Sequence, residues 1–199
     1  MDACAAARPV TFKAAVAILA LSLLSSWSTD ASQNPEIFFG ARSQFIFLEP
    51  VVPVPLTQVR KLDGTVVDLS RFRGTVVLLN FWATWCGPCV QEMQSLDSLA
   101  GTLDPGRFSV VAVSVNRDGA HAVAPFVAAH HLTHIEVLLD PDQQLGSLNA
   151  NQVTAGALPL WGLPISYIVD REGRGVGYLS GAATWDSSAA QSFLRSFVK

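Results

Sequence analysis

Thr75-Val76-Val77-Leu78-Leu79-Asn80-Phe81-Trp82-Ala83-Thr84-Trp85-Cys86-Gly87-Pro88-Cys89 is the stretch on which the reading of this chain turns. Its first eight residues are apolar apart from Thr75 and Asn80, the pattern of a strand covered on both faces of a sheet. Behind the cysteines, Met93, Leu96, Leu99 and Leu103 recur at helical spacing. Two thiols therefore stand three positions apart where a strand passes into a helix. There they can interconvert between dithiol and disulfide with little backbone movement, which suits disulfide exchange with other proteins.

The other uses of two close cysteines fit less well. The chain has three cysteines, Cys4, Cys86 and Cys89, and Cys4 lies in a segment that reads as a targeting signal. A bridge closing four residues removes only about 2 kcal/mol of unfolded-state entropy, so a purely structural staple would normally span a longer loop. A zinc site needs about four ligands. His130, His131 and His134 lie well beyond the ~12–15 residues of a finger-type spacing, and at the end of a helix they read as surface residues.

Cys86 falls at the helix N-terminus, where unpaired N–H groups and the helix dipole stabilise a thiolate. Pro88 suits a first helical turn because its missing N–H has no partner there anyway. Cys89 sits one turn in. These positions assign Cys86 as attacking nucleophile and Cys89 as resolving thiol. Gly87-Pro88 brings no charge to stabilise the thiolate further, which leans the couple toward a reductant. Resolution requires Cys89 to lose a proton. Glu92, one turn on, is either the acceptor or a solvated helix glutamate. Asn80 cannot titrate, so it is expected to orient a water or a backbone group.

Composition sets the frame. The chain has 199 residues, 50% of them apolar and 15% charged, with a net charge of −3. That supports a full core and gives no basic footprint for nucleic acid. Arg8 and Lys13 precede the apolar run Ala14–Leu24, followed by Thr29-Asp30-Ala31 as a small-x-small site. Residues 1–31 thus read as a signal peptide or, lengthened through residues 14–27, as a membrane tether. Either places the cysteine pair on the far side of a membrane, where thiols oxidise unless kept reduced. Residues 32–55, with Pro35, Pro50, Pro53 and Pro55, read as an extended linker, although Phe45–Leu48 inside it has strand character. The domain is expected over 56–199.

Within that domain, Asp63-Gly64 marks a hairpin between strands at Thr57–Arg60 and Val66–Leu69. Strands are expected at Val76–Trp82, Phe108–Val115, Ile135–Leu139, Ile165–Val169 and Val176–Leu179. Helices are expected after the cysteines, at His121–His131 entered or interrupted near Pro125, and briefly at Asp142–Leu148. Asp186 is expected to cap a last helix with Ala189, Phe193, Leu194 and Phe197 buried. This order describes an α/β fold, a central mixed sheet with helices on both faces and an N-terminal hairpin extension.

Asp63-Gly64, Phe72-Arg73-Gly74, Asn80 through Cys89, Gly162-Leu163-Pro164 and Gly181-Ala182-Ala183-Thr184-Trp185-Asp186 together resemble the TlpA/ResA-like proteins of the redoxin family. The resemblance runs from about Leu56 to the end. It implies a thioredoxin-like fold and a thiol–disulfide oxidoreductase with no cofactor beyond the redox-active Cys86–Cys89 disulfide. It also implies a proton-transfer role for Glu92 and a cis peptide before Pro164. In that loop Leu163 would offer its backbone to the substrate, with Trp85 beside it, while Gly87, Pro88 and Asn80 tune the pair. The implied partners are oxidised client proteins captured as mixed disulfides, such as apo-cytochrome c or copper-site and cytochrome oxidase assembly proteins. A membrane thiol transporter would be the reductant source. Two departures stand out. Gln94 replaces a proline that often bends the active-site helix, and Asn149–Trp161 is longer than usual, either an apolar lip or a packed loop.

Two rival functions share the architecture. A Sco-like copper-binding assembly factor uses a Cys-x-x-x-Cys pair and a distal histidine, whereas the spacing here is two and no histidine lies near Pro164. A peroxiredoxin-type peroxidase needs Pro-x-x-x-Thr-x-x-Cys, which is missing although Thr84 precedes the pair.

Overall fold

The computed structural model describes residues 39–40, 43–149 and 156–198. In chain order they form β1 (Phe39–Gly40), β2 (Ser43–Gln44), β3 (Ile46–Pro53), β4 (Val59–Lys61), β5 (Val66–Val67), β6 (Val76–Trp82), α1 (Gly87–Thr102) and β7 (Phe108–Ser114). There follow α2 (Ala120–Ala129), β8 (Glu136–Leu139), β9 (Gly146–Ser147), β10 (Leu158–Pro159), β11 (Ile165–Val169), β12 (Arg174–Ser180) and α3 (Ser188–Arg195). The expected signal or anchor at residues 1–31 lies outside the described residues. Among those described, no helix is long and apolar enough to cross a membrane.

A mixed sheet of eight strands, ordered β3-β12-β11-β6-β7-β8-β4-β5, forms the centre. β6, β7 and β8 run parallel, while β11 lies antiparallel to β6 and β12 to β11. Every residue of β6 is buried, which is why its sequence is a continuous apolar run rather than an alternation. Asn80 and Trp82 project to the face where they meet Glu92 of α1 and Phe126 of α2. Phe81 points the other way, toward Tyr167 and Gly146. A Cβ on Gly146 would lie 2.4 Å from the Phe81 ring, so only glycine lets β9 close over the sheet here.

The expected α/β architecture forms, and several of its parts differ in detail. Asp142–Leu148 is not a helix. Buried Asp140 accepts hydrogen bonds from the amides of Gln144, Leu145 and Gly146 at 2.8–3.0 Å, which fixes the segment as a loop leading into β9. Residues 46–53 are not linker either: β3 pairs antiparallel with β12, and Phe45 beside it is buried against Phe193 with ring centroids 4.8 Å apart. Ser187, not Asp186, caps α3, its hydroxyl accepting from the Ala190 amide. Ala190 accordingly takes the buried place expected for Ala189, which is exposed. The Asp63-Gly64 turn is present, with Gly64 at φ +85°, between strands shorter than expected. α2 runs through Pro125 rather than starting at it.

A second buried carboxylate ties helix to sheet. Asp97 of α1 accepts from the amides of Thr133, His134 and Ile135 at 2.8–2.9 Å. Burial opposes its ionisation, yet these amides and the His134 ring hold its pKa below the usual range. Gln94 donates to the His130 carbonyl at 2.6 Å, and α1 is continuous through it. The position that often bends this helix instead links α1 to the end of α2.

Candidate active site

β6 ends at Trp82 and hands the chain, through Ala83-Thr84-Trp85, to Cys86 at the N-cap of α1. Extended backbone at Cys86 lets its sulfur accept from the Cys89 amide at 3.3 Å. That is the cap interaction usually made by a side-chain oxygen. Cys86 and Cys89 form a disulfide, with Cα atoms 5.2 Å apart. The two sulfurs differ in reach: Cys86 keeps 7% of its surface and Cys89 none.

The loop before Cys86 is held by a residue the sequence reading missed. Asn116 accepts from the Thr84 amide at 3.0 Å, donates to the Thr84 hydroxyl at 2.8 Å and accepts from the Ser114 hydroxyl at 2.9 Å. Parallel pairing sets Trp82 beside Ser114, which carries Asn116 to Thr84. Trp85 remains 66% exposed. It borders a cleft of about 280 Å3 lined also by Val115, Arg117, Gln143 and Leu148.

The Leu163–Pro164 peptide is cis. Ile165 pairs with Phe81, so Pro164 stands at the end of the sheet from which the chain leaves for Cys86. The Pro164 carbonyl accepts from the Gly181 amide at 2.8 Å. Leu163 packs partly buried against the core. Of the long loop before it, Ala157, Leu158 and Leu160 are buried and Leu158–Pro159 pairs with β9, so its described part is a packed loop. Trp161 is exposed and packs at a tilt on Tyr178, centroids 4.7 Å apart.

Glu92 is not a solvated helix glutamate. It is 2% exposed and lies beneath the cysteine turn of α1. Asn80 donates to one carboxylate oxygen at 2.8 Å, and the Ala183 amide and Trp185 indole N–H donate to the other at 3.0 and 3.2 Å. Burial pushes its pKa up to about 7, against the pull of these three donors. Asn80 thus orients a carboxylate rather than a water or a backbone group, and its amide also donates to Ser166 at 2.9 Å. Its Oδ1 is buried and accepts no hydrogen bond among the described residues.

A dithiol at a helix N-terminus, with one sulfur at the surface and one sealed, can attack a disulfide through the first and resolve through the second. A buried carboxylate titrating near neutrality can exchange the proton this requires. Two of the three histidines serve other ends. His130 stacks on Phe126 at 3.9 Å and His134 bonds Asp97. No group of three His, Cys, Asp or Glu among the described residues is placed to hold a metal ion.

The Redoxin family model matches residues 52–191, from the end of β3 into α3 and including every site residue named above. The chain belongs to the Redoxin family. This redoxin is 29% identical over 126 residues to the thiol–disulfide oxidoreductase ResA of Bacillus thuringiensis subsp. konkukian, covering 63% of this chain and 66% of that protein. The match thus spans just under two thirds of the relative's length. A solved Chlorobium tepidum structure assigned to the thiol:disulfide interchange protein DsbE superposes with TM-score 0.59 at 28% identity, covering 74% of this chain and 96% of that one. The exposed lipoprotein thioredoxin Etrx1 of Streptococcus pneumoniae gives TM-score 0.53 at 25% identity, over 70% of this chain and 97% of that one. The redoxin's fold is thioredoxin-like.

Proposed function

We propose that this redoxin is a periplasmic thiol–disulfide oxidoreductase that reduces disulfides in client proteins. The observation that carries the reading is the asymmetry of the pair, Cys86 at the rim and Cys89 sealed above buried Glu92. In the reduced protein the Cys86 thiolate attacks one sulfur of a client disulfide. The client S–S bond breaks, its other sulfur leaves as a thiolate and takes up a proton, and a Cys86–client disulfide forms. Cys89 then gives its proton to Glu92 and attacks Cys86. The second client sulfur leaves, and the Cys86–Cys89 disulfide forms as the client becomes a dithiol.

The uncharged Gly87-Pro88 favours the reducing direction. The positive N-terminal region followed by Ala14–Leu24 supports export or tethering, and the similarity to an exposed lipoprotein thioredoxin agrees with it. The TlpA/ResA resemblance favours clients whose oxidised cysteines await haem or copper, and a membrane thiol transporter as the source of the two electrons that restore the dithiol. Trp85, Leu163 and Pro164, at the same sheet end as Cys86, are the residues we assign to client contact. The test is trapping: Cys89→Ser should accumulate mixed disulfides at Cys86 in cells, and Cys86→Ser should lose disulfide reduction. Undiminished turnover by Cys86→Ser would overturn the assignment.

A further inference from the structure

The turn between β12 and α3, Gly181–Ser187, has no part in the exchange steps above, yet it supplies two of the three donors to Glu92. The Ala183 amide and the Trp185 indole both reach the same carboxylate oxygen, at 3.0 and 3.2 Å. Ser95, one turn along α1 from Glu92, fastens the turn a second time. Its hydroxyl accepts from the Trp185 amide at 3.2 Å and donates to the Glu92 carbonyl at 2.8 Å. Trp185 itself is wholly buried. Its ring therefore does two opposed things to the carboxylate: the N–H favours the ionised form, and the bulk keeps water from it.

We propose that Trp185 is a positioning residue for thiol exchange, whose indole N–H aims the Glu92 carboxylate and whose bulk seals it from solvent, so that the β12–α3 turn sets when Glu92 can take up the resolving proton. This rests on the role given to Glu92 above. The groups facing Glu92 are few. β6 presents the neutral Asn80 amide, β11 presents Ser166 behind it, and the turn presents an amide and an indole. On its own helix Cys89 is the titratable neighbour, uncharged while in the disulfide. No ion pair to Glu92 forms among the described residues, so burial and hydrogen bonds set its protonation, and Trp185 contributes to both.

The two functions of the ring separate by substitution. Trp185→Phe removes the N–H and keeps most of the bulk, so the Glu92 titration midpoint should rise by about one pH unit. Trp185→Ala admits water, so the midpoint should fall by about one unit or more toward that of an ordinary glutamate. Carbon-13 NMR of the glutamate carboxyls in the oxidised protein reads this directly, because no cysteine of the pair titrates there; Glu92→Gln identifies the signal. The pH profile of mixed-disulfide resolution should move with each NMR midpoint. If Trp185→Ala does not fold, Trp185→Phe alone decides. An unmoved NMR midpoint in Trp185→Phe, or shifts of the same sign in both variants, would overturn the clamp and leave the role of Glu92 standing. Shifted NMR midpoints with an unmoved rate profile would instead remove Glu92, and the clamp with it, from the reaction.

Discussion

Glu92 spends stability to hold its position. A carboxyl whose pKa is raised from 4.5 to about 7 on folding binds its proton more tightly folded than unfolded. Stability is therefore greatest below the unfolded value, falls as pH rises from 4.5 to about 7, and is flat beyond, where both states are ionised. The fall is on the order of 3 kcal/mol. Glu92→Gln should lack it, so relative to the parent its stability should improve by about that amount between pH 4.5 and pH 8. Urea unfolding of the two oxidised proteins measures this, and parallel pH profiles would show that Glu92 does not titrate in this range. Glutamine also suits the site sterically: with the Asn80 amide turned over, its N–H2 can donate to the Oδ1 that now accepts nothing among the described residues. Of this arrangement the sequence shows what is local. The cysteine pair, Asn80 and Glu92 all lie within one strand–helix unit, so their proximity was legible, although the pattern left the role of Glu92 open and misjudged the partner of Asn80. The contacts of Ser166, Trp185 and Asn116 were not, because these residues meet their partners across 86, 93 and 32 residues of chain, and only the folded sheet and the turn after β12 bring them there.

At the scale of elements, one buried aspartate replaces structure that periodicity would assign otherwise. Asp140 gathers three amides of the segment after β8, meeting backbone hydrogen-bonding needs that a helix at Asp142–Leu148 would have met internally. Burial raises its pKa against the pull of those amides. Asp140→Ala leaves the three N–H groups without this acceptor and should cost about 3 kcal/mol in urea unfolding, with Asp140→Asn costing less because one oxygen remains. A loss below about 0.5 kcal/mol in the alanine variant would mean water serves those amides as well. A hydrophobic run reports which face of an element is covered. It does not report that a side chain has taken over the backbone's hydrogen bonds, and the reading of 142–148 as a helix failed for that reason.

For the whole molecule, the domain begins earlier than its prolines suggest. Proline-rich composition reads as a tether, but β3 finds its partner in β12, more than a hundred residues away, and no local signal encodes that pairing. Phe45 anchors it, its ring lying over Gly177, where a Cβ would approach to 2.4 Å, and against Phe193 and Phe47. Phe45→Ala should destabilise the fold by about 3–5 kcal/mol, whereas a residue in a tether would change the thermal midpoint by almost nothing. The same strand has a bearing on the company this protein is proposed to keep. An agent that offers one sulfur to incompletely folded chains risks being zipped to them through its own sheet. Here one margin of the sheet is β3, in which Pro50 and Pro53 have no N–H to give, and the other is β5, only two residues long. Prolines on one margin and shortness on the other weaken both as templates for an added strand. A client of the proposed reaction would then be held chiefly by the covalent bond at Cys86, and would come off once the electrons have moved.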